Sequence, residues 1–337
     1  MSKFNILYVG SVPEAIREEL RSRLPEGFAL EFLDEGPPEE RAGLLSEAHF
    51  IMGFPGSITP RALRMAGNLR MVQLLSAGYD ELDMELANEL GLPVANNGGA
   101  NSIAVAEHTI LLILSLYKRL CRHHDSLRRG VWLRERDHPL DMFELAGKAV
   151  GIVGFGNVGR ALAERLRGFQ VKMRYHDIVR SEEHEDRLGV EYLGLDEVLR
   201  TSDIVSVHVP LTASTRNMIG AKELNRMKRT AVLINTSRGE VVDEGALYRA
   251  LKEHKIAGAG LDVFAREGDI QKGTCTSPLF ELENVVVTPH YAGHTFDTWL
   301  RRIRIGYENI VNCTKGEPRY IVNREALSRN RGSANQP

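Results

Sequence analysis

Three polar side chains follow apolar runs, at points where strands of a parallel sheet would end. Arg238 comes after LINTS, Glu267 comes shortly after GLDVF, and His290 ends VVVTPH. Because the carboxyl ends of parallel strands meet at one crevice, we expect these side chains to come together there. An arginine can bind a carboxylate through two hydrogen bonds, and a histidine can transfer a proton. A carboxylate beside the histidine would raise its pKa and hold its orientation.

This set of side chains suits the reduction of a 2-keto acid. The arginine would hold the carboxylate and polarise the carbonyl group, and the histidine would supply the proton that accompanies a hydride. Each residue alone also has an ordinary interpretation as a surface charge or a helix cap. Sequence periodicity does not decide between the two interpretations.

A glycine-rich turn follows the apolar run AVGIV and leads into a helical pattern. Gly154, Gly156 and Gly159 have the spacing G-x-G-x-x-G. In a dinucleotide site the first glycine permits the tight turn, the second lets the backbone approach a pyrophosphate, and the third lets the helix pack on the strand. The helix N-terminus offers N–H groups and the positive end of its dipole to the phosphates. The motif therefore predicts a dinucleotide cofactor.

Asp177 stands 18 residues after Gly159, at the end of the next predicted strand. Its carboxylate can accept hydrogen bonds from the ribose hydroxyls and would repel a 2′-phosphate. We therefore expect NAD, with NADP less favoured. Arg180 nearby leaves room for NADP, and Asp177 alone is also compatible with a simple turn at a strand end.

An alternation of strands and helices must position these residues. Before the glycine turn we predict five strands, at residues 4–10, 29–34, 49–54, 70–76 and 92–97. From the turn onward we predict six strands, at residues 148–153, 171–177, 203–210, 230–237, 256–264 and 284–290. This rhythm predicts an α/β chain with two doubly wound parallel sheets, each covered by helices on both faces.

The first group of strands is slightly short of a closed domain. We expect the long amphipathic helix at 295–313 and the segment PRYIVN to pack back on it. The first domain is then discontinuous, residues 1–100 plus 293–337, and the second, residues 101–292, is inserted into it. The polar tail from about residue 328 is expected to be disordered.

Composition excludes several classes of protein. The formal net charge of -2 and a charged fraction of 26% give no reason to expect nucleic acid or a membrane surface as a partner. The cysteines Cys121, Cys275 and Cys313 are far apart and odd in number, so neither a disulfide framework nor a zinc site is expected. The histidines at 123–124 and 184 lack further ligands at fixed spacing, so we expect no metal. Without a secretory signal or a membrane span, a cytoplasmic location fits best.

The chain resembles the D-isomer-specific 2-hydroxyacid dehydrogenase family from about residue 4 to residue 323. The strings that carry the resemblance are, in order, LLSAGYDELD, NNGGANSIAVAEHT, GIVGFGNVGR, HVPLTAST, INTSRGEVVDEGAL, GLDVFAREG and VVVTPHYAGHT. The resemblance implies a Rossmann NAD domain inserted into a flavodoxin-like substrate domain, with the active site in the cleft between them. It implies interconversion of a small 2-keto acid and its D-2-hydroxy acid by hydride transfer. Family members are usually homodimers, and the apolar helix predicted at 102–121 is a candidate interface.

The motifs also imply roles for individual residues. Arg238 would bind the substrate, and His290, paired with Glu267, would be the general acid and base. Ala77 and Gly78 in the string SAGYD would give backbone N–H groups to the substrate carboxylate. The residues implied at the cofactor are Gly154, Gly156, Asn157, Val158 and Gly159 at the pyrophosphate, Asp177 at the ribose, Val209, Pro210 and Thr215 on the adenine side, and Thr236, Arg238 and Asp262 at the nicotinamide end.

The sequence departs from the family pattern after Glu267. Gly268 stands where the family usually has proline, and the link to Ser277-Pro278 is longer than usual. Because of this departure, the side chain of Glu267 could take a different position from that of the family's glutamate. The longer loop could also affect which substrate is chosen.

Other functions remain open at this point. Phosphite or another small anion could be oxidised on the same scaffold, and a non-catalytic NAD(H)-sensing protein similar to the corepressors of this fold would have the same motifs. A formate enzyme would pair its histidine with glutamine instead of Glu267. Tyr248 and Lys252 mimic the pair of the short-chain dehydrogenases, but the order of the other motifs is wrong for that family. His108 is expected to be a structural hydrogen-bonding residue.

Overall fold

A computed structural model describes residues 4–34, 41–134, 141–267 and 276–333. Its internal contacts divide the chain into two compact units, one of Met1–Asn101 and His294–Pro337 and the other of Ser102–Gly293. Gly268, Cys275 and most of the long link after Glu267 lie outside the described residues.

The first unit is built on a five-stranded parallel sheet with the order β2-β1-β3-β4-β5. Its strands are β1 (Phe4–Val9), β2 (Phe28–Phe32), β3 (Phe50–Gly53), β4 (Met71–Leu74) and β5 (Val94–Ala95). This is the flavodoxin-like order that the resemblance implied. Side chains of β1 are buried on both faces, because Ile6 and Tyr8 pack in one apolar cluster and Leu7 and Val9 pack in another.

Helices cover both faces of this sheet. They are α1 (Glu14–Ser22), α2 (Arg41–Glu47), α3 (Pro60–Met65) and α4 (Met84–Glu89), with α12 (Phe296–Thr314) from the C-terminal segment. A last helix, α13 (Arg324–Ser333), follows α12 in the chain. The C-terminal segment returns to this sheet, where Ile321 forms an antiparallel bridge to Ala95 and the Asn309 amide donates to Gln73 Oε1 at 2.7 Å. Helix α13 runs to Ser333, so the expectation of a disordered tail is wrong for residues 328–333.

The second unit is built on a seven-stranded parallel sheet with the order β12-β11-β10-β9-β6-β7-β8. Its strands are β6 (Ala149–Val153), β7 (Lys172–His176), β8 (Val190–Tyr192), β9 (Ile204–Val207), β10 (Val232–Asn235), β11 (Gly258–Leu261) and β12 (Val285–Val287). The strand order reverses at β6, which pairs with β7 on one side and β9 on the other. The glycine turn follows β6 and so stands at the topological switch point, where doubly wound sheets bind their ligands.

The helices of this unit are α5 (Ser102–Tyr117), α6 (Leu120–Arg128), α7 (Asn157–Leu166), α8 (Glu182–Leu188), α9 (Leu195–Thr201), α10 (Ala221–Leu224) and α11 (Glu244–Lys252). The single helix predicted at 102–121 is wrong, because Arg119 has a left-handed φ of 50° and separates α5 from α6. Helix α8 and strand β8 were not predicted either, since both are short and mostly polar. Among the helices that the structure describes, none is long and apolar enough to cross a membrane.

Candidate active site

The predicted site residues of the second unit lie in the segments that follow parallel strands. Asp177 follows β7, Val209 follows β9, Arg238 follows β10, Asp262 follows β11 and His290 follows β12. Since the strands are parallel, these segments share one edge of the sheet.

His290 and Glu267 form a hydrogen-bonded pair at this edge. The Nδ1 atom of His290 lies 2.6 Å from Oε2 of Glu267, and the other carboxylate oxygen accepts the Phe264 N–H at 2.9 Å. Both side chains are partly buried. The carboxylate is therefore held at both oxygens, and the imidazole is held at one nitrogen.

The pair shifts the pKa of each partner in the direction that favours the charged form. The hydrogen bond to Glu267 raises the pKa of His290, against burial and the nearby charge of Arg238, which lower it. Burial, the largest single effect, raises the pKa of Glu267, but the hydrogen bond and charge of His290, the hydrogen bond from the Phe264 N–H and the charge of Arg238 together lower it. Together these effects favour an imidazolium–carboxylate pair.

Arg238 lies close enough to Glu267 and His290 for its charge to act on both. The loop that carries Arg238 is shaped by the buried side chain of Asn235, whose amide donates to the Arg238 carbonyl at 2.9 Å. The other amide atom of Asn235 accepts the Ser237 N–H at 3.0 Å. The three predicted catalytic side chains are therefore brought together, and Asn235 is a supporting residue that sequence reasoning missed.

Gly239 lets the Arg238 loop touch the loop that carries Glu267. A Cβ atom at Gly239 would overlap the carbonyl group of Phe264 and the backbone nitrogen of Ala265. This close approach needs a residue without a side chain. The glycine directly after Arg238 in the string TSRG was the available signal, and its structural reason appears only in three dimensions.

Asp262 is fully buried and organises the segment around His290. Its carboxylate accepts the N–H groups of Tyr291 and Ala292, each at 2.9 Å, and the hydroxyl of Thr288. The resemblance implied a place for Asp262 beside the nicotinamide, and the structure directs its carboxylate at residues 288–292. Its contacts make it a positioning residue for His290.

His108 joins the same network from helix α5. Its Nε2 atom lies 2.8 Å from Oγ1 of Thr288. Because the Thr288 hydroxyl gives its proton to Asp262, Nε2 of His108 is the donor in this contact. The structure thus gives His108 the hydrogen-bonding role that was expected.

The three glycines of the turn have different surroundings. Gly154 has a φ of +95°, and a Cβ atom there would lie 2.7 Å from the His208 carbonyl. A Cβ at Gly159 would collide with the Gly154 carbonyl, so this glycine permits the packing of α7 on β6. Gly156 has open space at its Cβ position and is the N-cap of α7. Open space at a helix N-terminus fits the pyrophosphate of a dinucleotide, with Asn157 and Val158 in the first helical turn.

Asp177 connects the end of β7 to the glycine turn. Its Oδ2 atom accepts the N–H of Phe155 at 2.6 Å, and Oδ1 accepts the N–H of Val179 at 3.3 Å. Next to it, Ile178 leaves 96% of its surface exposed. A carboxylate and an exposed apolar side chain at this place fit the ribose and the adenine of a dinucleotide.

The residues that the resemblance implies beside the adenine and the nicotinamide follow β9, β10 and β11 at the same edge. The Thr215 hydroxyl donates to the Pro210 carbonyl at 2.6 Å, and Val209 packs against the buried core. Thr236 is buried, with Oγ1 3.2 Å from Oγ1 of Thr109 on α5.

Ala77 and Gly78 belong to the first unit and follow β4. The Asn96 amide donates to the Ala77 carbonyl at 3.2 Å, and the Ser76 hydroxyl donates to the Gly78 carbonyl at 2.6 Å. In the part of the chain that the structure describes, neither backbone N–H of Ala77 and Gly78 donates to a protein group. The carbonyl groups are thus fixed, and the N–H groups are available to an anion.

Known proteins with similar sequences and structures have this architecture. Residues 110–292 match the family model described as "D-isomer specific 2-hydroxyacid dehydrogenase, NAD binding domain". A glyoxylate reductase of Korarchaeum cryptofilum is 38% identical over 94% of this chain and 96% of its own length, and one of Aeropyrum pernix is 40% identical over 94% of each.

A solved structure of a member of the same family is also similar to this chain. A D-isomer specific 2-hydroxyacid dehydrogenase of Lactobacillus delbrueckii ssp. bulgaricus, in its NAD-complexed form, is similar with a TM-score of 0.79 and 27% identity, over 95% of this chain and 100% of that one. The matched NAD binding domain, the glycine turn and the NAD-complexed relative support NAD as the cofactor. The chain therefore belongs to the D-isomer specific 2-hydroxyacid dehydrogenase family, whose members interconvert 2-keto acids and 2-hydroxy acids with a nicotinamide cofactor.

Proposed function

We propose that this enzyme reduces a small 2-keto acid to its D-2-hydroxy acid with NADH, with His290 as the proton donor. The observation that carries the proposal is the 2.6 Å hydrogen bond between His290 and Glu267, close to the charge of Arg238. A proton donor, its carboxylate partner and a carboxylate-binding arginine are the groups that the reaction needs.

In this proposal the two nitrogens of the imidazole have separate tasks. The Nδ1 atom of His290 is occupied by Glu267, so Nε2 is the atom that would donate its proton to the substrate carbonyl oxygen. The cofactor, when bound as NADH, would supply the hydride that the carbonyl carbon receives. After transfer the imidazole is neutral, keeps its Nδ1 hydrogen bond to Glu267, and takes a new proton from solvent.

Arg238 would hold the substrate carboxylate. A guanidinium can donate two parallel hydrogen bonds to a carboxylate, which fixes the plane of the keto acid. The loop of Ala77 and Gly78 would add backbone N–H donors, because Asn96 and Ser76 fix its carbonyl groups and, among the described residues, its N–H groups donate to no protein group. We accordingly propose that the Ser102–Gly293 unit binds the cofactor and that the other unit supplies this loop.

Glyoxylate is the substrate that we propose. Two relatives that match over 94% of this chain are named glyoxylate reductase. The test is a steady-state assay with NADH and glyoxylate, hydroxypyruvate, pyruvate and a bulkier 2-keto acid. We expect the highest kcat/KM for glyoxylate. A higher kcat/KM for another acid of the panel would refute glyoxylate as the substrate but not the reaction. Binding of NADH without turnover of any acid would refute the proposed reaction and favour a sensing protein.

We also propose that the enzyme is a homodimer. Exposed apolar side chains follow one another along α5, α6 and the residues after them, namely Leu111, Leu120, Leu127, Val131 and Trp132. Large apolar patches on a protein surface mark interfaces. Trp132 leaves 77% of its surface exposed in the single chain, and burial against a second copy would cover it.

A further inference from the structure

Arg180 is held by two carboxylates on the surface beside the nucleotide site. Its Nε and Nη2 atoms lie 2.9 and 2.7 Å from the two carboxylate oxygens of Glu185. Its remaining nitrogen, Nη1, lies 3.6 Å from Oε1 of Glu182. The planar guanidinium therefore has its bidentate edge directed at Glu185.

Glu185 is positioned by the buried core of the unit. The hydroxyl of Tyr175 donates to Oε1 of Glu185 at 2.7 Å and accepts the N–H of Ser181 at 2.8 Å. The ring of Tyr175 is fully buried and stacks on Phe155 of the glycine turn, with 4.1 Å between the ring centroids. The carboxylate is thus fixed before it meets Arg180, which reduces the entropy that the ion pair costs.

The pair stays ionised under all working conditions. Hydrogen bonds from Arg180 and Tyr175 lower the pKa of Glu185 to about 2, against a smaller opposing effect of burial. An arginine remains protonated at any pH that an enzyme encounters. The contact is therefore independent of pH in the working range.

Arg180 is also placed where a nucleotide phosphate would matter. It follows Asp177 by three residues on the same loop, and Asp177 is the proposed ribose ligand. An arginine near this position is the group that accommodates the 2′-phosphate in enzymes that use NADP. In this chain the arginine is present, but its bidentate edge is already occupied.

We propose that Glu185 is a specificity-determining residue that favours NADH over NADPH by holding Arg180 away from the ribose 2′ position. Asp177 repels the 2′-phosphate directly. Glu185 adds a second effect, since it withdraws the one arginine of the loop that could compensate that repulsion. This inference rests on the nucleotide site proposed above.

The test compares affinities in variants of the full chain. Glu185→Gln removes the charge but keeps an oxygen that can accept from Tyr175. Dissociation constants of NADH, NADPH, AMP and adenosine 2′,5′-bisphosphate are measured by calorimetry. We expect Glu185→Gln to tighten binding of NADPH and of the bisphosphate by about tenfold, with NADH and AMP within about twofold of the wild type.

Further variants identify the group responsible. In the double variant with Arg180→Gln the gain for NADPH is expected to disappear, whereas Arg180→Gln alone leaves both affinities unchanged. Glu182→Gln is the matched control and should also leave both affinities unchanged, because Glu182 is exposed and lies farther from the guanidinium. If Glu185→Gln is unstable, Glu185→Asp, which cannot reach both guanidinium nitrogens, should give a gain of about threefold.

Two results would contradict the proposal. One is an unchanged ratio of NADPH to NADH affinity in the Glu185 variants, and the other is a gain that persists when Arg180 is also replaced. If the wild type failed to bind NADH, the nucleotide site itself would be refuted. That outcome is distinct from NADH binding with an unchanged ratio, which would refute only the role of Glu185.

Discussion

His290 has a left-handed backbone conformation, with a φ of 56°, while its Nδ1 atom lies 2.6 Å from Oε2 of Glu267. Such a conformation is uncommon for a residue other than glycine and persists where surrounding contacts impose it. Here the contacts come from Asp262, whose carbonyl accepts the His290 N–H at 2.7 Å and whose carboxylate holds the next two residues. The backbone and the side chain of His290 are thus fixed by different acidic residues.

Replacement of His290 by alanine should lower kcat for 2-keto acid reduction by about 10² to 10⁴-fold, because the proton donor is lost. The dissociation constant of NADH should stay within about twofold of the wild type, since a residue that only transfers the proton contributes little to cofactor binding. Steady-state kinetics measures kcat, and fluorescence titration with NADH measures the dissociation constant. Near-normal turnover in this variant would refute the role of His290.

The pH dependence should follow the hydrogen bond to Glu267. That bond raises the pKa of His290 above its usual 6.5, so the protonated form and kcat/KM for the keto acid persist to a pH above 6.5 and fall beyond it. In Glu267→Gln the raising effect is lost, while burial and Arg238 still lower the pKa. The fall in kcat/KM should then occur at lower pH than in the wild type. A profile that does not move would show that Glu267 does not set this pKa.

The same pair should make stability depend on pH in two windows. The raised pKa of His290 adds stability that is complete below about 6.5 and is lost as pH rises through the folded-state pKa. The lowered pKa of Glu267 adds stability that is present above about 4.5 and is lost as pH falls through its folded-state pKa. Thermal unfolding should be measured for the wild type and for Glu267→Gln from low to high pH. The difference in Tm between the two proteins should be smallest at the lowest and at the highest pH.

Gly239→Ala should disturb both the fold and the reaction. The added methyl group would overlap the Phe264 carbonyl, and such overpacking costs about 1–3 kcal/mol of unfolding free energy. Since the displaced loops carry Arg238 and Glu267, kcat/KM should fall as well. Gly168→Ala is the control, because nothing lies within 4 Å of a Cβ atom there. Equal Tm and kcat/KM in the two variants would contradict the proposed loop contact.

Asp262→Asn should lower both the stability and kcat, because Asp262 holds the backbone of His290 and the next two residues. In either orientation of the amide, its nitrogen would face the backbone N–H of Tyr291 or of Ala292, and a buried donor without an acceptor costs about 1–3 kcal/mol. We expect a lower Tm and a lower kcat, with a KM for the keto acid that changes less than kcat. An unchanged kcat alongside a lower Tm would reduce Asp262 to a purely structural residue.

Sedimentation should show a dimer that depends on the exposed apolar residues after α5. Leu127→Ser combined with Trp132→Ser should shift the wild-type dimer towards monomer, because two exposed apolar side chains are removed from the proposed interface. Leu90→Ser, at an exposed apolar residue of the other unit, is the matched control. A wild type that sediments as a monomer at micromolar concentration would refute the dimer.

The positions of the strands followed from the sequence wherever a strand lies in an apolar run, whereas the order of the strands came from the structure. The five strands of the first sheet and six of the seven in the second were predicted, because parallel strands buried on both faces form continuous apolar runs. Strand β8 was missed since only one of its three residues is buried. The break between α5 and α6 was missed because a single left-handed Arg119 leaves no mark on the apolar pattern.

The sequence predicted that Arg238, Glu267 and His290 come together, and the structure brings them together, but the sequence did not predict the residues that support them. Arg238, Glu267 and His290 each follow a strand within a recognisable motif. The contacts of Asp262 and Asn235 depend on which backbone groups come near in space, and no periodicity encodes that. The role of Glu185 could not be seen either, because a glutamate five residues after Arg180 on an acidic helix is ordinary in sequence.

The contact between Gly239 and Phe264 also limits how this enzyme can diverge. Because the two loops touch backbone to backbone, an insertion between Arg238 and Gly239 or between Phe264 and Glu267 would separate Arg238 from Glu267. Replacement of exposed side chains such as Tyr291, next to His290, does not disturb this contact. Substrate specificity could therefore change through single substitutions while the distance between Arg238 and Glu267 stays the same.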